Sequence, residues 1–427
     1  MMAKAASSVR TKKYNDRKEA ILWAASKIMN EKGLKGMTLA EVGEQFGLVS
    51  TGVAYYFSSK EELAAACYLR SIETFEAMIR DAANEETLKA RLDHLVHSYF
   101  AYRKRLARGE EPERAVFDDI RALADTSVIE AYVAMFRTAR HFIDPSPSSI
   151  NRVALNTRAH LLLQLLPWVG IWLGKYSLDD YKFVAERFLN IISYGLGAPG
   201  HVWKPERLPP SQNGPEEPGI TRETFLRAAT QLINDQGYHG ASVERISASL
   251  NVTKGSFYHH VEAKDDLVEI CFERTIQVVR NAQSLARQLP VDASNRLASA
   301  LLSLADHQLE GDSPLLRAAT VSLPADIRRN VLLEYERNAI RFGSMVNEGL
   351  IDGSLRMVDV QIAAQIISAA VNALGELSYW LPEPNRAGAA ESFTRLIFLG
   401  FTSRLDSAGP KVDSRLAVQE QSSETDL

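Results

Sequence analysis

Moved along itself by 204 positions, the chain matches its own sequence without a gap, and any fold must accommodate that repeat. Glu19 falls on Glu223, Leu22 on Leu226, Ala24 and Ala25 on Ala228 and Ala229, and Asn30 on Asn234. Gly33 and Gly36 fall on Gly237 and Gly240, Lys60 on Lys264, Leu63 on Leu267, Cys67 on Cys271, Arg70 on Arg274 and Ile72 on Ile276. Coincidence does not preserve turn glycines and apolar spacing together over an ungapped run, so the match is read as an internal duplication. The period is too long for a solenoid unit and means two whole domains of one kind. The 427 residues suffice for two to four domains, each with its own core.

The second copy carries the clearest local pattern, from Ser242 to Lys264. Ser242 suits a helix N-cap, Ile246 and Leu250 make an apolar face at i, i+4, and Asn251 tolerates the left-handed conformation that often ends a helix. Thr253 then caps a second short helix anchored by Phe257 and Val261. The other face of that helix carries Lys254, Gly255, Ser256, Tyr258 and His259, with His260 near its end. These are donors, small residues and polar aromatic tips, which suit a major groove lined by phosphates and base edges. The stretch Thr253-Lys-Gly-Ser-Phe-Tyr-His-His-Val261, followed by the helix-starting Lys264, resembles the recognition helix of TetR-family (TetR/AcrR) transcriptional regulators.

The first copy keeps the scaffold and changes the tips. A stripe of Ile21, Leu22, Ala25, Ile28 and Met29 ends at Gly33, Thr38 to Glu41 reads as a capping box, and Gly47 makes the turn. Ser50 to Phe57 is the expected recognition helix, and Ser58 to Glu61 opens a longer one. Ala54 stands where the second copy has Tyr258, Thr51 where it has Gly255, and Ser50 where it has Lys254. Expected DNA-binding residues are therefore Thr38, Ser50, Thr51, Tyr55, Tyr56 and Lys60 in one copy. In the other they are Ser242, Thr253, Lys254, Gly255, Ser256, Tyr258, His259, His260 and Lys264. The basic N-terminus, with Lys4, Arg10, Lys12 and Lys13, reads either as a frayed end or as an arm along the phosphates.

Beyond the heads the chain reads as helix. His94 and His97 share a helical face, but no third ligand follows at a metal-site spacing. His97, Tyr99, Phe100 and Trp168 are candidate ligand-pocket residues; packing explains Trp168 and Trp172 equally well. Two helices, about 149–176 and 178–196, are apolar around much of their circumference and must be buried in a bundle or against a partner. Residues 361–381 and 387–405 mirror them, with Tyr379-Trp380-Leu381 echoing Ile171-Trp172-Leu173 at a drifted offset. Six prolines between 197 and 219 predict a semi-rigid extended spacer able to span tens of Å. Cys67 and Cys271 occupy equivalent helical positions and read as buried thiols. The longest apolar run, Leu161 to Gly174, is too short for a bilayer and holds Gln164 and Pro167, so a cytoplasmic protein without a membrane partner is expected.

The resemblance implies an all-α fold of two TetR-like units, each a three-helix head with a helical ligand-binding and dimerisation body, packed as an intrachain pseudo-dimer. The expected divisions are heads at 14–74 and 218–278, bodies at 75–196 and 279–405, a linker at 197–217 and a disordered tail at 406–427. It implies a repressor of double-stranded operator DNA, answering to an apolar or aromatic small molecule, with further self-association left open. The net charge of −4 does not oppose this, because only the surface near the phosphates must be positive. A helical scaffold protein with degenerate heads is the alternative; steep salt dependence of DNA retention separates the two. No phosphate loop, nucleophile elbow or dinucleotide fingerprint marks an enzyme, and no cofactor or metal is expected.

Overall fold

The computed structural model describes residues 2–47, 49–117, 120–146, 152–209, 221–237, 240–255, 264–309, 323, 325–381 and 388–403, with backbone alone at 2–11, 50, 264, 265, 325 and 326. The first half comprises α1 (Met2–Gly36), α2 (Leu39–Glu44), α3 (Ser50–Ala54), α4 (Lys60–Ala82), α5 (Leu88–Ala107), α6 (Thr126–Ile143), α7 (Arg152–Trp172) and α8 (Tyr181–Tyr194). A 3-10 turn at Ile120–Leu123 precedes α6. The second half comprises α9 (Arg222–Gln236), α10 (Val243–Ser249), α11 (Lys264–Ala286), α12 (Ala293–Leu309), α13 (Ala325–Asp352), α14 (Val360–Leu377) and α15 (Ala389–Leu399). No strand occurs among the described residues; a single bridge joins Gly197 to Leu355.

The duplication reproduces internal ties as well as residues. Cys67 Sγ lies 3.5 Å from Leu22 O, and Cys271 Sγ lies 3.6 Å from Leu226 O. Glu19 pairs with Arg70, and Glu223 with Arg274. Gly33 kinks α1 and Gly237 ends α9, both at φ 71°, and the turns that follow α2 and α10 are left-handed, at Gly47 (φ 62°) and Asn251 (φ 55°). A side chain resists that conformation, and glycine or asparagine tolerates it best. Both cysteines are buried and free, and burial pushes their thiols up to about 12 (Cys67) and about 11 (Cys271).

Side-chain caps define the helix starts. Thr38 Oγ1 accepts from Glu41 N at 3.2 Å, Ser59 Oγ from Glu62 N at 3.1 Å, Thr87 Oγ1 from Ala90 N at 3.1 Å and Ser242 Oγ from Arg245 N at 3.3 Å. Each satisfies one of the donors that a helix start leaves without an intrahelical partner. The N-terminus differs from both sequence readings: its backbone is helical from Met2, so the basic stretch extends α1 instead of forming a frayed end or a loose arm. Tyr14 on that extension stacks on Tyr56 at 4.9 Å, and Arg17 donates to Phe46 O at 3.1 Å.

The two halves join through four helices, α7 and α8 from the first and α14 and α15 from the second, each of the first pair touching each of the second. The seam is apolar with a polar lattice. Buried His160 Nε2 lies 2.7 Å from Ala373 O, Asn156 Nδ2 donates to Trp380 O at 2.7 Å, and Arg158 donates to Ser403 Oγ at 2.7 Å. The indole of Trp380 stacks on Phe136 at 3.7 Å. At the ends of α8 and α15, Gly195 and Gly400 lie back to back: Leu196 N donates to Ile397 O at 3.1 Å and Phe401 N to Ile192 O at 2.8 Å. One continuous core runs from the first head through both bodies, while the second head has its own, around Phe225, Ile246 and Val268.

Among the described residues one helical stretch, Val360–Trp380, is long and apolar enough to cross a bilayer, so the sequence reading that the longest run ends at Gly174 missed it. It is 61% buried inside the protein and packs on α7, as a core helix does. The proline-rich connection departs from expectation too. Its first part lies along α12 as a strap: Lys204 N, Glu206 N and Leu208 N donate to Asn295 Oδ1 (2.7 Å), Ser299 Oγ (2.8 Å) and Ser303 Oγ (3.1 Å). Two extended residues advance about 6 Å, and so do four helical ones, so the bonds stay in step.

Candidate nucleic-acid interface and an interior cavity

In the first head α2 and α3 pack together around the Gly47 turn, and Val42, Val53 and Phe57 are buried beneath them. Thr51 and Ala54 are exposed, Tyr56 is half-buried, and Tyr55 is 71% exposed, the phenol lying edge-on to Tyr14 at 5.9 Å. Thr38 is exposed while capping α2. Lys60, expected on a phosphate, is turned inward: its ammonium donates to Lys35 O at 2.8 Å, and burial lowers its pKa. It ties the start of α4 to the end of α1. The side chain of Ser50 lies outside the description.

In the second head Ser242 caps α10, Thr253, Lys254 and Gly255 are exposed, and Lys254 Nζ sits 2.6 Å from Glu244 Oε1. That hydrogen bond and the cation beside it draw the Glu244 carboxyl down to about 2. The first head has Ser50 and Ala40 at these positions and so lacks the pair. A neighbouring ion pair is replaced: Lys32 pairs with Glu41 in the first head, where the second has neutral Gln236 accepting from Arg245. Ser256, Tyr258, His259 and His260, and the side chain of Lys264, lie outside the described residues.

Below the first head a cavity of about 340 Å³ opens between α4, α5, α7 and the loop before α6. Tyr99 and Trp168 line it, together with Phe75, Tyr102, Phe117 and Tyr132. His97 and Phe100, expected there from the same stripe, are elsewhere. His97 Nδ1 turns to Asp93 O one turn back at 2.9 Å, and Phe100 is buried against Phe188 at 5.7 Å. His94 engages Asp81 and Glu85, both at 3.1 Å. The polar lining is Asn30, Arg103, Glu113, Arg114, Gln164, Asn372 and Glu376. Burial raises the phenols of Tyr99 and Tyr102, the latter to about 12, so both stay protonated donors at neutral pH. Sequence reasoning missed Arg103, although it stands one turn after Tyr99. It missed Arg114 because that residue lies in a loop without periodicity, and Asn372 and Glu376 because they come from the other half.

The cavity wall includes a residue of the first head, and the turn that follows its loop reaches the second. Asn30 of α1 donates to Arg114 O at 2.8 Å and accepts from Val116 N at 2.9 Å, while the 3-10 turn at Ile120–Leu123 packs on α9. Arg121 stacks over Tyr379 at 3.4 Å, and Tyr379 Oη donates to Asp235 of α9 at 3.1 Å.

Comparison with known proteins agrees with the geometry of the heads. The family model described as bacterial regulatory proteins, tetR family, matches residues 21–67 and again 225–271, spanning α1 to α4 and α9 to α11. Over 139 residues the chain is 29% identical to the HTH-type transcriptional repressor DhaR of Mycobacterium sp. (strain GP1), covering 32% of this chain and 70% of that protein. Over 59 residues it is 32% identical to the Transposon Tn10 TetC protein of Escherichia coli, which is 14% of this chain and only 30% of that relative's length. Among solved structures, apo AibR aligns with 42% of this chain and 98% of its own, at 19% identity and a TM-score of 0.36. The chain thus carries two tetR-family helix-turn-helix domains in tandem, the DNA-binding module of bacterial regulatory proteins, within an all-helical fold.

Proposed function

We propose that this regulator is a ligand-responsive repressor that occupies one operator as a single chain, its halves standing in for the two subunits of a dimer. The four-helix seam of α7, α8, α14 and α15 carries this reading, because it covers the apolar faces that would otherwise recruit a second chain. The divisions set out from the sequence, with heads at 14–74 and 218–278, serve as the working domains. Two heads so joined can enter successive major grooves about 34–36 Å apart. Ala54 against Tyr258, and Ser50 against Lys254, present different tips, so the preferred operator is an imperfect palindrome. The exposed Thr51, Tyr55, Thr253, Lys254 and Gly255 are the described residues best placed to meet DNA.

The cavity is the proposed effector site. A ligand there meets Arg114, whose backbone is held by Asn30 of the first head, while the adjoining turn rests on α9 of the second. Binding shifts the balance between head arrangements only as far as the ligand prefers one of them. The lining favours an aromatic or apolar body, and the protein acts in the cytoplasm, by binding and not by catalysis. Mass determination of the chain on a minimal operator tests the central point. One chain per duplex is the expected result, and two chains reject the single-chain reading. Selection of sites from random DNA should return two unlike half-sites.

A further inference from the structure

Three donors of the cavity wall find no acceptor among the described residues: Arg114 Nε, Arg114 Nη1 and Trp168 Nε1 are buried and make no hydrogen bond there. Buried donors left unmade are costly, and three around one space mark a place for a group that only accepts. The carboxylates of the lining do not supply it. Glu376 lies 3.7 Å from Arg121 and accepts from Gln164 at 3.2 Å, and Glu113 is exposed. A second cation, Arg103, lies flat on Gly170, where an added Cβ would come within 2.7 Å of Nη1. An ionised carboxyl is acceptor-only and matches the fork of a guanidinium, and the surrounding rings suit an apolar body.

The duplication supplies an internal comparison. Thr275 and Val279, the counterparts of Ser71 and Phe75, line a space of only about 30 Å³ in the second half, sharing Asn372 with the larger cavity. Tyr335 lies half-buried in that wall, its ring 6.2 Å from both Trp168 and Phe272. We infer that the chain binds an aromatic or aliphatic carboxylic acid, as its anion, between Arg114 and Trp168 Nε1 of the first half.

This deepens the effector reading and rests on it only for the consequence at DNA. Calorimetric titration of the full chain with naphthalene-2-carboxylate and octanoate, beside their primary amides, tests it. Expected is saturable binding of the acid, with the amide bound at least about tenfold more weakly, the size of a lost charge-assisted hydrogen bond. Arg114→Met should erase the preference and Arg114→Lys keep part of it, each with unchanged melting in the absence of ligand. Amides binding as tightly as acids, or no acid binding at millimolar concentration, each overturn the inference. Operator affinity is read separately. An acid held through Arg114 that leaves DNA binding unchanged upholds this site and removes its effector role, whereas operator release by neutral aromatics alone does the reverse.

Discussion

Gly195 and Gly400 meet where the two halves cross, and replacing either with alanine perturbs the seam at one point. Gly195 has φ 70° and ψ −168°, and Gly400 has φ 74° and ψ 170°, a region essentially confined to glycine. Forcing a side chain into such a conformation costs about 1–3 kcal/mol. Space is denied as well: a Cβ on Gly195 would lie 2.2 Å from Phe398 O, and one on Gly400 would lie 2.4 Å from Ser193 O. Both obstacles are backbone, which cannot swing aside, and overpacking adds about 1–3 kcal/mol. Gly400→Ala should thus cost roughly 2–6 kcal/mol, a large share of the ~5–15 kcal/mol that holds a domain folded. Urea denaturation followed by circular dichroism measures it, with two controls. Gly353→Ala places a side chain at φ 77° with nothing within 4 Å, isolating the backbone component, and Gly174→Ala meets neither obstacle. The two seam variants press on one contact, so the double variant should cost less than the two summed. If Gly400→Ala destabilises no more than Gly353→Ala, the close crossing of the halves is wrong.

Glu244→Gln releases Lys254 from its partner and should tighten operator binding several-fold while steepening the salt slope by about one phosphate contact; anisotropy titrations at several salt concentrations read both. Lys60→Ala removes the bond to Lys35 O and should destabilise the first head by about 1.5–3 kcal/mol, leaving the salt slope intact. Asn30→Ala cuts both ties between α1 and the cavity loop and should reduce the change in operator affinity that saturating ligand produces, read by operator titration with and without ligand. Burial raises the folded thiols above their ordinary 9.0. Their contribution to stability is therefore full below pH 9 and falls above it, by about 1.4 kcal/mol per pH unit for each thiol, until the folded thiols also ionise near 11 and 12. Melting of Cys67→Ala and Cys271→Ala against the parent between pH 8 and about 11 should show that slope reduced.

Much of the head is legible in the sequence because its determinants are local. Gly47 and Asn251 stand where only a left-handed residue closes the turn, and Thr38 and Ser242 stand one cap before an apolar repeat. The cavity is another matter. Tyr99 and Phe100 belong to one apolar stripe but point about 100° apart around the helix, and only the position of α7 and α8 decides which faces the space. Lys60 illustrates the same limit: a cation before a helix reads as a phosphate contact until the end of α1 is placed beneath it. Proline density indicated that the connection is extended, but the three acceptors on α12 that hold it are side chains of another segment, four residues apart.

The strap and the seam together mean that the partner of each half is never lost by dilution. In a regulator built from separate subunits, the DNA-binding species falls away once its concentration drops below the dissociation constant for pairing. Here the second half stays tethered, and its local concentration is a property of the chain and not of the cell. Melting should therefore be indifferent to chain concentration, and operator occupancy should follow a simple one-chain binding curve without a pairing step. Each head can also accumulate substitutions that its sister does not inherit, a freedom closed to any regulator that pairs with an identical copy of itself.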